Sequence, residues 1–323
     1  MKWLLRIVLL LIALLVIAFL ILRVPDTDPA EMRAKYGGEP SQFVQIGDGV
    51  TVHLRDEGPR DAPAIMLLHG SNADLHTWQP WVDALKDRYR VIRFDQIGHG
   101  LTGADPAGDY SIENFVADID EVADALGLQR FVIGGNSMGG GHAVAYALAH
   151  PDRVDALVLV DAGGASIEPE EDEDGGNIGF TIARTPVLNQ LMKYITPRSM
   201  IERSLRETVS NQAVVTDAAV DRYWEMLRYP GNREATIARF SGGWNSFDAA
   251  EVASIKVPAL VIWGEEDGLI PVEAGLWYDR QLPNSRLVVY DGIGHLPQEE
   301  AAERSAAYLA QWLDEQDLTS ADK

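Results

Sequence analysis

The sequence predicts an α/β protein whose mostly parallel sheet is covered by helices on both faces. Two observations carry this. Short, uninterrupted apolar runs recur, namely AIMLLHG, YRVIRFD, FVIGG, ALVLVDAG, PALVIWG and RLVVYDG, each closed by Gly, Asp or His. Such runs suit strands buried on both faces. Between several of them lie helical patterns, such as SIENFVADIDEVADALGL and MGGGHAVAYALAH. That alternation implies right-handed crossovers between parallel strands. A third observation adds an apolar helix ahead of the sheet.

The elements follow in chain order. From Trp3 to Leu22 the chain is apolar apart from Arg6. About 20 apolar residues cross a bilayer core, and an Arg near the end snorkels. Residues 1–24 are therefore expected to be an uncleaved, single-pass membrane anchor. Lys2 and Arg6 lie at its start, and Asp26 and Asp28 follow it beyond Arg23, which keeps the N-terminus cytoplasmic and the rest extracytoplasmic. The alternative is secretion after signal cleavage, but LILRVPDTDP lacks a small-residue cleavage pattern. Residues 25–42 read as linker, broken by Pro25, Pro29, Gly37, Gly38 and Pro40. The alternating strand VTVHLRD opens the core, assigned to 43–162 and 257–316, and its His53 is expected to face solvent. From Gly163 to Lys256 no strong strand appears, so 163–256 is expected to be a helical insertion above the strand ends. Its acidic run, Glu168 to Asp174, reads as a solvated loop. Its aromatics, among them Phe180, Tyr194, Tyr223, Trp224, Tyr229, Phe240 and Trp244, are expected to pack on the core or to line an apolar pocket. Residues 317–323 form a tail.

Composition narrows the partners. The chain has 323 residues and a formal net charge of −22. That field repels phosphate backbones, so no nucleic-acid partner is expected. There is no cysteine, which excludes disulfides, thiolate metal sites and a cysteine nucleophile.

Chemistry concentrates in GGNSMGG, where Ser137 sits between Gly135 and Gly139 with Asn136 and Met138 beside it. A strand that turns sharply into a helix exposes its serine hydroxyl, and the glycines remove side chains that would clash. Amides at the following helix N-terminus suit a developing oxyanion. A serine nucleophile needs a base and the base an orienting acid, in the order Ser, Asp or Glu, His. His295 is the only histidine after His150, so it is the only base that order permits. WGEEDGLIP offers Glu265, Glu266 and Asp267 as acids. No His/Asp spacing marks a metal site, and neither metal nor cofactor is expected.

The elements HGSNADLHTW, FDQIGHG, GNSMGG, WGEEDGLIP and GIGHLPQEE, in this order, resemble those of α/β-hydrolase-fold enzymes over roughly residues 43–316. The resemblance implies an eight-stranded, mostly parallel sheet with the insertion as a cap. It implies Asp267 as the acid, Glu265 and Glu266 as solvated neighbours, and Asp161 as a second acid position that some relatives use. It implies backbone amides of Ser71 and Met138 as the oxyanion hole and Asp95 as a turn anchor. His69, His76, His99 and His142 then read as structural. A serine at the elbow excludes the dehalogenase and epoxide-hydrolase branches, which use Asp there. The expected activity is hydrolysis of small to medium apolar carboxylic esters, with short or medium acyl chains, through an acyl-enzyme. Two alternatives stand beside it. GNSMGG is similar to the elbow of hydrolases that cleave carbon–carbon bonds of aromatic ring-fission products. Those enzymes carry a glycine-rich loop where this chain has HGSNAD, and a Trp where it has Leu296. The other alternative is a non-catalytic binding module on the same fold. A small-molecule ester and the membrane are the expected partners.

Overall fold

The computed structural model describes residues 2–167, 178, 181–182, 185, 188–242 and 246–316. The acidic run, Phe180, Trp244 and the tail 317–323 lie outside the described residues.

One sheet holds eight strands: β1 (Ser41–Gln45), β2 (Thr51–Glu57), β3 (Ala64–Leu68), β4 (Arg90–Phe94), β5 (Phe131–Asn136), β6 (Val154–Val160), β7 (Ala259–Gly264) and β8 (Ser285–Tyr290). Their order is β1-β2-β4-β3-β5-β6-β7-β8. β2 pairs antiparallel with β1 and β4, and all other pairs are parallel. β3, β4, β5 and β7 are buried along their whole length, as uninterrupted apolar runs require.

Helices α1 (Lys2–Leu22) and α2 (Pro29–Tyr36) precede the sheet. α3 (Gln79–Leu85), α4 (Ile112–Ala125) and α5 (Met138–Ala149) connect its first half. Between β6 and β7 come α6 (Leu188–Met192), α7 (Arg198–Thr208), α8 (Asp217–Leu227), α9 (Asn232–Gly242) and α10 (Ala249–Ser254). α11 (Val272–Gln281), α12 (Pro297–Glu300) and α13 (Ala302–Glu315) complete the chain. Two apolar layers flank the sheet. One joins Phe115, Ile119, Val144 and Tyr278 to the strands, and the other joins Trp78, Trp81, Leu309 and Trp312.

Two expectations need correction. Residues 25–42 are not only linker: Asp28 caps α2 by accepting from the Ala30 and Glu31 amides at 2.8 and 3.0 Å. Pro29 starts that helix instead of breaking one, because its fixed φ suits a first turn. His53 does not face solvent; it is fully buried. β1 pairs over β2 and brings Phe43 to stack on the imidazole at 5.1 Å, while Asp95 Oδ2 and Ser41 Oγ take its two nitrogens at 2.7 and 2.8 Å.

Candidate active site

Parallel strands place all their C-terminal ends on one edge, which is where open α/β sheets carry their sites. Ser137 follows β5, Asp161 follows β6, Asp267 lies in the turn after β7, and His295 lies in the turn after β8. Ser137 has φ 54° and ψ −121°. This left-handed backbone at a non-glycine residue is the strain of a sharp strand-to-helix turn. Close approach explains the glycines around it. A Cβ on Gly135 would meet the Gly139 carbonyl at 2.3 Å, and one on Gly139 would meet Leu68 O at 2.3 Å. The Ser137 carbonyl accepts from the Gly140, Gly141 and Gly163 amides. The amide side chain of Asn136 donates to His295 O at 3.0 Å and to Val160 O at 3.1 Å, tying the elbow to the histidine loop.

His295 is buried, and its Nδ1 is 2.7 Å from Asp267 Oδ2. The other Asp267 oxygen accepts from the Leu269 and Ile270 amides, so the carboxylate cannot swing away. Glu265 and Glu266 are exposed. Asp161 stands behind Asp267. Burial, then the Asp267 carboxylate, raise the Asp161 carboxyl well above its ordinary range. Sequence spacing does not show that Asp161, Asp267 and His295 bring donor atoms within 4.8 Å of one another, close enough to suit a metal ion. The short His295–Asp267 contact suits an acid that orients the imidazole.

Ser71, from the turn after β3, and Met138 line the same cavity wall. That turn is held by a buried network. The His69 Nε2 accepts from the Gln96 amide at 3.0 Å and its Nδ1–H donates to Gly70 O at 2.8 Å. Gln96 in turn donates to His69 O and bonds His142 Nδ1. Burial lowers the His69 pKa and pushes that of His142 down to about 3. Both rings are neutral at pH 7, and their tautomers follow from these partners. Asp95 accepts from the Leu75 and Leu101 amides at 2.8 Å each. His76 bonds Asp74, and His99 bonds Ile97 O.

Two cavities meet at Ser71. The smaller, about 80 Å³, is walled by Ser137, His295, Met192, Ile201, Leu205 and Leu227. Aliphatic and thioether side chains make this wall apolar. Of the described aromatics expected there, only Tyr223 reaches it. Trp224 instead lies under Arg228 at 4.1 Å, and Tyr229 packs on Met32 and Leu101. The larger cavity, about 460 Å³, is lined by Tyr110, Phe115, Met138, His142, Arg239 and Phe240, among others. The Arg239 guanidinium bonds Gly98 O, Asn72 Oδ1 and Thr236 Oγ1, all uncharged acceptors. Among the described residues no carboxylate pairs with it. Burial pushes its pKa down to about 9, so it remains a cation at pH 7; Glu113 lines the same cavity but forms no ion pair with it.

Sequence reasoning missed Glu300 and Arg222. One Glu300 oxygen accepts from Gly294, Ser210 and Asn211 amides, and the other from Leu296. It thereby ties both sides of His295 to the segment after α7. Arg222, on α8, reaches Asp74 at 3.2 Å and Glu299 at 4.0 Å. No motif marks either residue, because their partners are remote in sequence.

The family model described as the alpha/beta hydrolase fold matches residues 63–302. The chain belongs to the α/β-hydrolase-fold family. A 2-hydroxymuconate semialdehyde hydrolase of Pseudomonas putida is 31% identical over 291 residues, covering 86% of this chain and 98% of its own. A meta-cleavage product hydrolase structure from Pseudomonas fluorescens superposes with TM-score 0.74 at 25% identity, over 85% of this chain and 98% of that one. A bacterial membrane phospholipase A has the same fold, with TM-score 0.74 at 24% identity over 98% of each chain.

Proposed function

We propose that this hydrolase cleaves a carbon–carbon bond in a carboxylate-bearing ring-fission product, with Ser137 as nucleophile, His295 as base and Asp267 as the orienting acid. The 31% identical relative named for 2-hydroxymuconate semialdehyde carries the reading. The lone cation Arg239, in the cavity that shares Ser71 with the Ser137 pocket, supports it. This reading displaces ester hydrolysis, which the sequence alone favours.

In the proposed reaction Ser137 Oγ bonds to the carbonyl carbon as His295 accepts its proton. The Ser71 and Met138 amides hold the oxyanion. Collapse restores the carbonyl and breaks the adjacent C–C bond. Its electron pair passes into the conjugated keto-carboxylate fragment, which takes its proton from the imidazolium. Water activated by His295 then releases the acyl group from Ser137. Arg239 binds the carboxylate, and the aliphatic pocket receives the acyl part. Arg239 still carries its charge at pH 7, so that pairing persists across the neutral range.

A second reading keeps the carboxylic ester. Leu296 in place of a Trp, and the aliphatic pocket beside Ser137, favour it. The test assays the full chain and its Ser137→Ala variant on ring-fission products and on p-nitrophenyl esters of graded length. The proposal expects Ser137-dependent turnover of the ring-fission product with the higher kcat/KM. Faster ester turnover would move the assignment to the second reading. Undiminished activity of Ser137→Ala would end both. We further propose that α1 anchors the protein in a membrane. The helix has 21 residues, a mean hydropathy of 3.3 over its most apolar window and no buried residue.

A further inference from the structure

α6 has two unlike faces. Met192 is buried and lines the pocket that holds Ser137 and His295. On the outside Leu188 and Leu191 are 47% and 44% exposed, and Tyr194, two residues beyond the helix, is 46% exposed. Besides the residues of α1, only Leu276 and Val289 among the described residues are comparably exposed large apolar side chains.

This patch adjoins the end of α1. The Tyr194 ring meets Phe19 edge-on at 5.8 Å, and Tyr194 O accepts from the Val24 amide at 2.7 Å. The chain after α1 is strapped to the same region. Arg228 donates to Pro25 O at 2.9 Å, and Arg233 reaches Val24 O at 3.0 Å and Asp26 at 2.5 Å. α1 is therefore not on a free tether, and its direction fixes how the insertion faces a bilayer. Phe19 lies about 4.5 Å along the axis from the end of α1, at 1.5 Å per residue. With α1 spanning, Tyr194 and the α6 leucines fall at the boundary between acyl chains and headgroups, where Tyr is favoured. Arg23 follows α1 and Lys193 precedes Tyr194, so basic residues flank this face.

We infer that the Leu188, Leu191 and Tyr194 face sits in the boundary of the bilayer that α1 spans, on the side where α1 ends, and that an amphiphilic, carboxylate-bearing substrate partitioned into that boundary reaches Ser137 past α6. A single short helix then separates the lipid phase from the pocket. The inference rests on the anchor proposed above.

The chain lacks cysteine, so one introduced thiol is unique. The test places spin labels on Leu191→Cys, Leu10→Cys and Asp152→Cys in the full chain, reconstituted in phosphatidylcholine vesicles. Accessibility to oxygen, which concentrates in lipid, is compared with accessibility to a water-soluble nickel chelate. The Leu10 label is expected to be lipid-buried, the Asp152 label aqueous, and the Leu191 label between them, shielded from the nickel chelate relative to Asp152 and less accessible to oxygen than Leu10. A lipid-buried Leu10 label with an aqueous Leu191 label would overturn the inference and spare the anchor. An aqueous Leu10 label would sink the anchor, and the inference with it. Spin–spin broadening at Leu191 would mean that a second copy covers the patch, which also overturns the inference. A second readout uses Leu188→Glu with Leu191→Glu. It is expected to lower kcat/KM on vesicle-dissolved substrate by on the order of tenfold, because charges leave the boundary. Turnover of a short water-soluble substrate is expected to be unchanged; equal loss on both would overturn the route past α6.

Discussion

At the scale of single residues, Asp161 and Glu300 make opposite demands. Asp161 has the shape of asparagine, and its raised pKa favours the protonated form. Its Oδ1 accepts from the Gly264 amide at 2.9 Å. Asp161→Asn is therefore expected to keep kcat/KM within about threefold, since it keeps the shape and the acceptor for the Gly264 amide. Its stability should depend on pH with a definite sign. A carboxyl raised in the folded state binds more protons there than in the unfolded chain, so the wild type loses stability as pH rises from about 4 through the folded pKa. The asparagine variant lacks that loss. Its melting temperature relative to wild type should climb over this window, and a flat difference would show Asp161 ionised. Glu300 is different, since four backbone amides spend their hydrogen bonds on it. Glu300→Ala is expected to cost about 2–4 kcal/mol by leaving buried donors unpaired. kcat should fall as the His295 turn loosens. Denaturant unfolding beside steady-state kinetics measures both effects.

At the scale of elements, the turn from β5 into α5 is the least tolerant piece of chain. The 2.3 Å approaches at Gly135 and Gly139 are to backbone atoms, which have no rotamer to give way. Gly139→Ala is expected to destabilise by more than about 3 kcal/mol through overpacking. Gly242→Ala, with nothing near its Cβ, is the matched control and should unfold at close to the wild-type denaturant midpoint. This element was also the most legible in sequence, because Gly135, Asn136, Ser137, Met138 and Gly139 are contiguous and local sterics dictate their conformation. α2 was not legible. Prolines and glycines dominate its flanks, and the difference between a breaker and a helix start lay in the Asp28 cap.

At the scale of the whole molecule, the insertion is bolted to the core through charge. Against burial, Arg222 and His76 hold the Asp74 carboxyl well below its usual range. Burial raises Glu299, and Arg222 opposes it. Arg222→Met removes the cation that faces both acids. It is expected to cost about 3–5 kcal/mol at pH 8, as breaking a buried pair does. The stranded carboxyls then take up protons more readily when folded, so the deficit should shrink as pH falls toward 5. Thermal melts at pH 5 and 8 check this, and a deficit that grows at low pH would contradict it.

The sequence by itself determined the α/β class, the strand runs, the elbow at Ser137, the apolar helix α1 and the single histidine available downstream. Each follows from local periodicity, a contiguous motif or elimination within the chain, none of which needs a distance. Only the tertiary structure decided that His53 is buried, that Asp161 stands behind Asp267, that Arg239 faces a cavity with no described carboxylate paired to it, and that α6 lies against the end of α1. Those facts join residues tens to hundreds of positions apart. They depend on crossovers and on the seating of the insertion, which no pattern of neighbouring residues encodes.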